Sequence, residues 1–191
     1  MAGMPVAPTP LAGQLLIALP ALADPNFARS VVLLCQHDAD GAMGVVVNRA
    51  ADYTLGDVFS QMEIACPDRA LCDRPVFAGG PVHPERGFVV HDGERRFDSG
   101  LQIAPGLHVT TSRDVLEAIA SGEGPDNVLV ALGCAGWGAG QLESELTGDS
   151  WLNVPADAEL LFRLPLEARW QAAAGRLGVD LQHLAGYSGR A

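Results

Sequence analysis

The arrangement that constrains this chain most is a pair of apolar, β-branched runs, Ser30–His37 and Met43–Asn48, separated only by Asp38-Ala39-Asp40-Gly41. Each run has strand length, and the spacer has turn chemistry ending in glycine, so the two are expected to pair as a hairpin. Gln14–Leu19 reads as a third strand, and the three fit one mixed or antiparallel sheet.

The remaining pattern extends that sheet. Thr54–Met62 reads as a short helix, with Thr54 and Asp57 spaced as a capping box and Leu55, Val58, Phe59 and Met62 on one face. Residues 63–74 are polar and read as a long loop. Strands are expected at Pro75–Ala78, Gly87–His91, Leu101–Ile103, Leu107–Thr111 and Asn127–Leu132, and a helix from the N-cap Ser112 to Gly122. Trp151–Val154 reads as an edge strand. The C-terminal part reads as helical, first at Asp157–Arg163, then behind Pro165 with an apolar stripe of Leu166, Trp170, Ala173, Ala174 and Leu177. Strands and helices do not alternate regularly, which disfavours a doubly wound parallel sheet and favours a single α+β domain. Residues 1–10 hold three prolines and no charge and read as a flexible N-terminal arm, leaving 11–191 as the domain.

Composition removes several functions. All 12 basic residues are arginine, so chemistry that needs a lysine amine, as in a Walker P-loop or a Schiff base, has no carrier. The net charge of -11 opposes tight duplex DNA binding, which draws on a basic footprint. Four cysteines are too few for a disulfide-stapled secreted scaffold, and all are expected to be free. Leu15–Ala23 imitates a signal-peptide core, but no basic residue precedes it, and no run is long enough to span a membrane. The expected compartment is the cytoplasm, with no membrane association.

Two glycine-rich segments carry the strongest local signals. Gly133–Gly140 reads as a turn between a strand and a short helix, either for tight packing or as backbone donors for an anion. Its spacing is not that of a dinucleotide fingerprint, and Cys134 meets only half of a nucleophile-elbow pattern. Gly79-Gly80-Pro81, followed by Arg86, reads as a sharp turn or as a place where another group approaches the backbone. If a small anionic molecule binds, Gly79, Gly80, Arg86, Gly136, Trp137, Gly138 and Gln141 are the candidate residues, converging on one concavity. His83 and His91 with Cys66 and Cys72 match no common zinc spacing, so no metal or other cofactor is expected. Glu143 and Glu145 point to different faces and read as solvated or paired to arginine, whereas His37 and Asn48 read as caps on strand ends.

Taken in order, Gly13–Ala18, Asp24–Phe27, Arg29–Val32, His37, Gly41–Asn48, Gly79–Val82, Arg86–Phe88, Gly133–Glu143, Trp151-Leu152 and Pro155-Ala156 resemble the YqgE/AlgH family of bacterial proteins, from Leu11 onward. The resemblance implies a bent mixed or antiparallel sheet forming a pseudo-barrel with helices packed outside. It also brings a transcriptional-regulator label that rests on an effect on alginate production, and no catalytic residue. Cys134 stands where tyrosine is common in that family.

The resulting expectation is a non-catalytic cytoplasmic binding or regulatory protein that acts on transcription indirectly, with a small anionic ligand or a protein as partner. Two alternatives stand beside it. One is a small hydrolase or transferase using the Gly133–Gly140 turn as an anion hole; the other is a regulator that binds DNA directly.

Overall fold

The computed structural model describes residues 11–187, so the expected arm at 1–10 lies outside the described residues. In chain order the strands are β1 (Gln14–Ala18), β2 (Val31–Asp38), β3 (Gly41–Val46), β4 (Ala50–Thr54), β5 (Pro75–Ala78), β6 (Val82–His91), β7 (Gly100–Ala104), β8 (Leu107–Thr110), β9 (Val128–Gly138) and β10 (Trp151–Pro155). The helices are α1 (Leu55–Gln61), α2 (Arg69–Cys72), α3 (Arg113–Ala120), α4 (Gln141–Thr147), α5 (Arg169–Gly175) and α6 (Leu181–Tyr187).

The expected hairpin forms: β2 and β3 pair antiparallel down to Asp38 opposite Gly41, and the Asp38 carboxylate accepts the Asp40 N–H at 2.8 Å inside the turn. The strand order is β10-β1-β2-β3-β9-β6-β8-β7, with β4 and β5 joined to β9 through the parallel β5–β9 pairing. Trp151–Pro155 lies at the end of that order, as an edge strand should.

Burial explains why the strands read as continuous apolar runs: both faces of the sheet are covered. Leu15, Ile17, Val31, Leu33, Cys35 and Val45 pack into one cluster with Phe88, Val90, Val109 and Leu129 from the far half of the sheet. On the opposite face the contacts divide into two separate clusters, one around Leu16, Val32 and Val46 and one around Val76, Val89 and Val130. A single inner cluster and a divided outer one mark a curled sheet. The curl brings its ends together, since a Cβ on Gly13, just before β1, would lie 2.7 Å from the Ile103 carbonyl oxygen of β7. The fold is thus the α+β pseudo-barrel. Residues of α1, α3 and α4 cover the outer face, while Leu160, Leu161, Ala173, Ala174 and Leu181 of the C-terminal segments fill the inner one.

Several local expectations need correction. Gly133–Gly138 is not a turn: β9 runs straight through it and pairs with β3 from Gly44/Ala135 to Gly41/Gly138. Gly133 serves close approach, since a Cβ there would collide with the Gly80 carbonyl oxygen, and at φ +81° it is a bulge that shifts the alternation. Before it Leu129 and Ala131 face inward; after it Cys134 does. β4, in the polar Ala50–Thr54, and α2, within the expected loop, were not legible as elements; α2 starts where Asp68 accepts the Ala70 and Leu71 N–H groups. The helical segment expected at 157–163 is a π-helix over Glu159–Arg163, and Leu177 is exposed because α5 ends at Gly175.

Candidate functional site

The Thr54 capping box forms as spaced, with Thr54 Oγ1 accepting the Asp57 N–H at 3.2 Å and Asp57 Oδ2 accepting the Thr54 N–H at 2.8 Å. It fixes α1 at one wall of a groove of about 970 Å³ whose other wall is α3. The groove floor is apolar, formed by Val58, Met62, Val89, Leu116, Val130 and Leu132. Its polar lining holds three carboxylates, Asp52, Asp57 and Glu85, against one guanidinium, Arg113. That arginine is already engaged, by Glu117 at 2.7 Å and by the Met62 carbonyl at 2.6 Å. Tyr53, 56% exposed, stands at the edge of the groove. The site therefore has an apolar base and a negative rim, with no free cation among the described residues that line it.

Of the residues singled out in the sequence, the structure brings two glycine segments together. Gly79 donates its N–H to Leu132 O at 2.8 Å and accepts from Val46 N at 2.8 Å, which places it between β3 and β9. A Cβ on Gly79 or Gly80 would collide with the backbone of Gly133 or Cys134. Arg86 lies beside this region, with its guanidinium 5.6 Å from the Phe88 ring centre. Gly136 and Gly138 are exposed on the β9 ladder, and Gln141 spends its side-chain oxygen on the Gly138 N–H at 2.9 Å. Trp137 turns to the outer face, 6.3 Å from Phe27 and 6.0 Å from Trp151 between ring centres. None of Gly79, Gly80, Arg86, Gly136, Trp137, Gly138 and Gln141 lines the groove.

Cys134 is buried, and burial raises its thiol pKa more than the nearby Arg86 charge lowers it. A nucleophile needs the opposite shift. Cys35, also buried, is pushed up to about 12 by burial, with the neighbouring Cys134 adding to the effect. His37 is engaged by Glu143, and His91 by Asp92 and Thr110, so neither serves as a base for Cys134. Among the described residues no three His, Cys, Asp or Glu side chains gather to hold a metal ion. Asn48 caps as expected, accepting from Val31 N and donating to Arg29 O, both at 2.9 Å. Glu143 and Glu145 are paired, but to His37 and to the Trp151 indole rather than to arginine.

Sequence reasoning missed Asp52, Tyr53 and Glu85, because a groove rim has no local pattern. It also missed Arg169, which is 4% exposed. An arginine one position before Trp170 and four before Ala173, on the stripe itself, was the available signal.

A family model described as AlgH-like matches residues 15–182. A UPF0301 protein of Xanthomonas campestris pv. campestris is 65% identical over 188 residues, covering 98% of this chain and 100% of that protein. One from Stenotrophomonas maltophilia is 65% identical over 186 residues, covering 97% and 99%. The solution structure of the AlgH protein from Pseudomonas aeruginosa superposes with a TM-score of 0.78 at 46% identity, covering 96% of this chain and 97% of that one. A crystal structure of a Corynebacterium diphtheriae protein, at 23% identity and TM-score 0.72 over 91% and 90% of the two chains, shares the fold.

Proposed function

The chain belongs to the AlgH-like family, and from that starting point we propose that it is a non-catalytic cytoplasmic binding protein that acts on transcription indirectly. Its partner is a basic segment of another protein, held in the groove between α1 and α3. The observation that carries this is the mismatch within the groove: an apolar floor under three carboxylates, with its one arginine already paired. A segment alternating arginine with aliphatic side chains complements both parts, and Tyr53 offers an aromatic face to a guanidinium. Burial of Cys134, which disfavours its thiolate, counts against that residue as a nucleophile.

Fluorescence anisotropy with a labelled eight-residue peptide alternating arginine and leucine tests the groove. Saturable binding is expected, lost in D52N/E85Q and kept in E94Q/E123Q, which removes the same charge elsewhere. No binding, or equal loss in both variants, sinks the proposal. A parallel titration with labelled duplex DNA at two salt concentrations is expected to show no sub-micromolar affinity; tight binding with a steep salt slope would put direct DNA binding in its place.

A further inference from the structure

The β5–β9 pairing consists of Phe77 opposite Ala131 and Ala78 opposite Leu132. Continued in register, Pro75 and Val76 would face Leu129 and Val130, yet they do not pair, so the two strands splay. A cleft of about 230 Å³ opens at the splay, walled by Phe77, Leu161, Leu164 and Leu166. Among the described residues two arginines, Arg74 and Arg169, line it, and no carboxylate does.

Arg169 is the unusual group. Its side chain is buried, and taking a guanidinium out of water is costly unless the charge is paired. Among the described residues it meets only neutral partners. Nε donates to Leu164 O at 3.0 Å, Nη1 donates to Val47 O at 2.7 Å, and the guanidinium lies 5.4 Å from the Phe77 ring centre. Nη2 makes no hydrogen bond to the described residues. It is not sealed from solvent, Ser30 Oγ being the one buried side-chain atom without a partner in the described residues, and Arg169 lines the cleft. Arg74 is exposed and has no acidic partner among the described residues, which places a second cation at the opening.

We propose that this cleft binds a small free carboxylic acid with an apolar body, its carboxylate on Arg169 Nη2 and Arg74 and its body against Phe77 and the leucines. The volume falls below the roughly 300–1,000 Å³ usual for drug-sized pockets, which favours a compact acid over a peptide terminus. A carboxylate supplies the charge-assisted bond that Arg169 lacks. The site is separate from the groove, with which it shares only Val130 among the lining residues.

The test is a titration with benzoate at constant ionic strength, with benzamide and inorganic phosphate as comparisons. It is read by thermal shift and by the arginine Nε–H resonances in NMR spectra. Benzoate is expected to raise the melting temperature saturably and to move the Arg169 resonance; benzamide lacks the charge and phosphate the apolar body, so both bind at least about tenfold more weakly. R74Q, at an exposed position that leaves the fold intact, is expected to weaken benzoate several-fold, and R169K more, because an ammonium cannot hold both carbonyls and a carboxylate as a guanidinium does. If R169K does not fold, R74Q with the benzoate–benzamide comparison still decides. Equal effects of benzoate and benzamide, tighter binding of phosphate, or a benzoate affinity unchanged in R74Q would each overturn the assignment.

Discussion

His37, near the end of β2, donates its Nε2–H to Glu143 of α4 at 2.5 Å while its Nδ1 accepts the Leu11 backbone N–H at 3.2 Å. The Leu11 donor assigns the tautomer, since Nδ1 cannot both accept that proton and carry its own. The pair ties the entry of the domain to α4.

The hydrogen bond from His37 holds the Glu143 carboxyl below its ordinary pKa of 4.5. A lowered folded value means that the contribution to stability is present above the unfolded pKa and is lost as pH falls through the folded one. Carbon-detected NMR titration is expected to place the Glu143 midpoint below 4.5, and H37A to return it upward. A midpoint that H37A leaves in place would show that the bond does not form in solution.

Glycine positions provide a second measurement. Gly133 has φ +81° and no room for a Cβ beside the Gly80 carbonyl, while Gly136 has no atom within 4 Å of where its Cβ would stand and no positive φ. G133A is expected to destabilise by about 2 kcal/mol or more, through backbone strain and displacement of Gly80. G136A should stay within about 0.5 kcal/mol of the parent. Urea denaturation of both variants checks this, and equal losses would contradict the bulge.

These glycines also show where the sequence was legible. The hairpin of β2 and β3 and the capping box of α1 were readable because each depends on residues within a few positions of one another. Gly133–Gly138 was misread as a turn because local glycine content cannot distinguish a chain that bends from one that another strand approaches. The partner that decides, Gly79-Gly80, lies more than fifty residues away. Glu143 and His37 are likewise separated by 106 residues, and the groove rim draws on β4, α1 and β6, so neither partner nor rim had a local signature. The inner and outer apolar sets, by contrast, follow the period of two through every long strand until the bulge reverses it.

The cysteines should separate by access and acidity. Cys35 and Cys134 are buried with raised pKa values, whereas Cys66 and Cys72 are partly exposed. Cys72 is itself raised, chiefly by its hydrogen bond with Cys66. Iodoacetamide at neutral pH without reductant is therefore expected to modify Cys66 first and Cys72 more slowly, reaching Cys35 and Cys134 only after denaturation, with four labelled thiols in total. Peptide mass spectrometry reads the order. Early labelling of Cys134 would reopen the case for a nucleophile, and a missing pair would indicate a disulfide.

The steepest pH dependence near neutrality is expected from His91. Its ring is 1% exposed, stacked 5.4 Å from His108, with Nδ1–H donating to Asp92 O at 2.9 Å and Nε2 accepting from Thr110 Oγ1 at 2.8 Å. Burial lowers its pKa from 6.5, the like charge of His108 adds to this, and the Asp92 carbonyl opposes it only in part. Both ring nitrogens are satisfied in the neutral form, and protonation would leave Nε2 with a proton aimed at a hydroxyl that had been the donor. In the unfolded chain His91 takes up a proton as pH falls through 6.5, while in the folded chain it does so only at lower pH. The unfolded state thus binds more protons in that window, and stability falls as pH drops below 6.5, levelling once the folded value is passed. H91N, which keeps a polar side chain but does not titrate, is expected to be less stable at pH 7.5 and to show a shallower decline between pH 7.5 and 5. Denaturation midpoints across that range decide it, since an unchanged slope in H91N would place the pH dependence elsewhere in the fold.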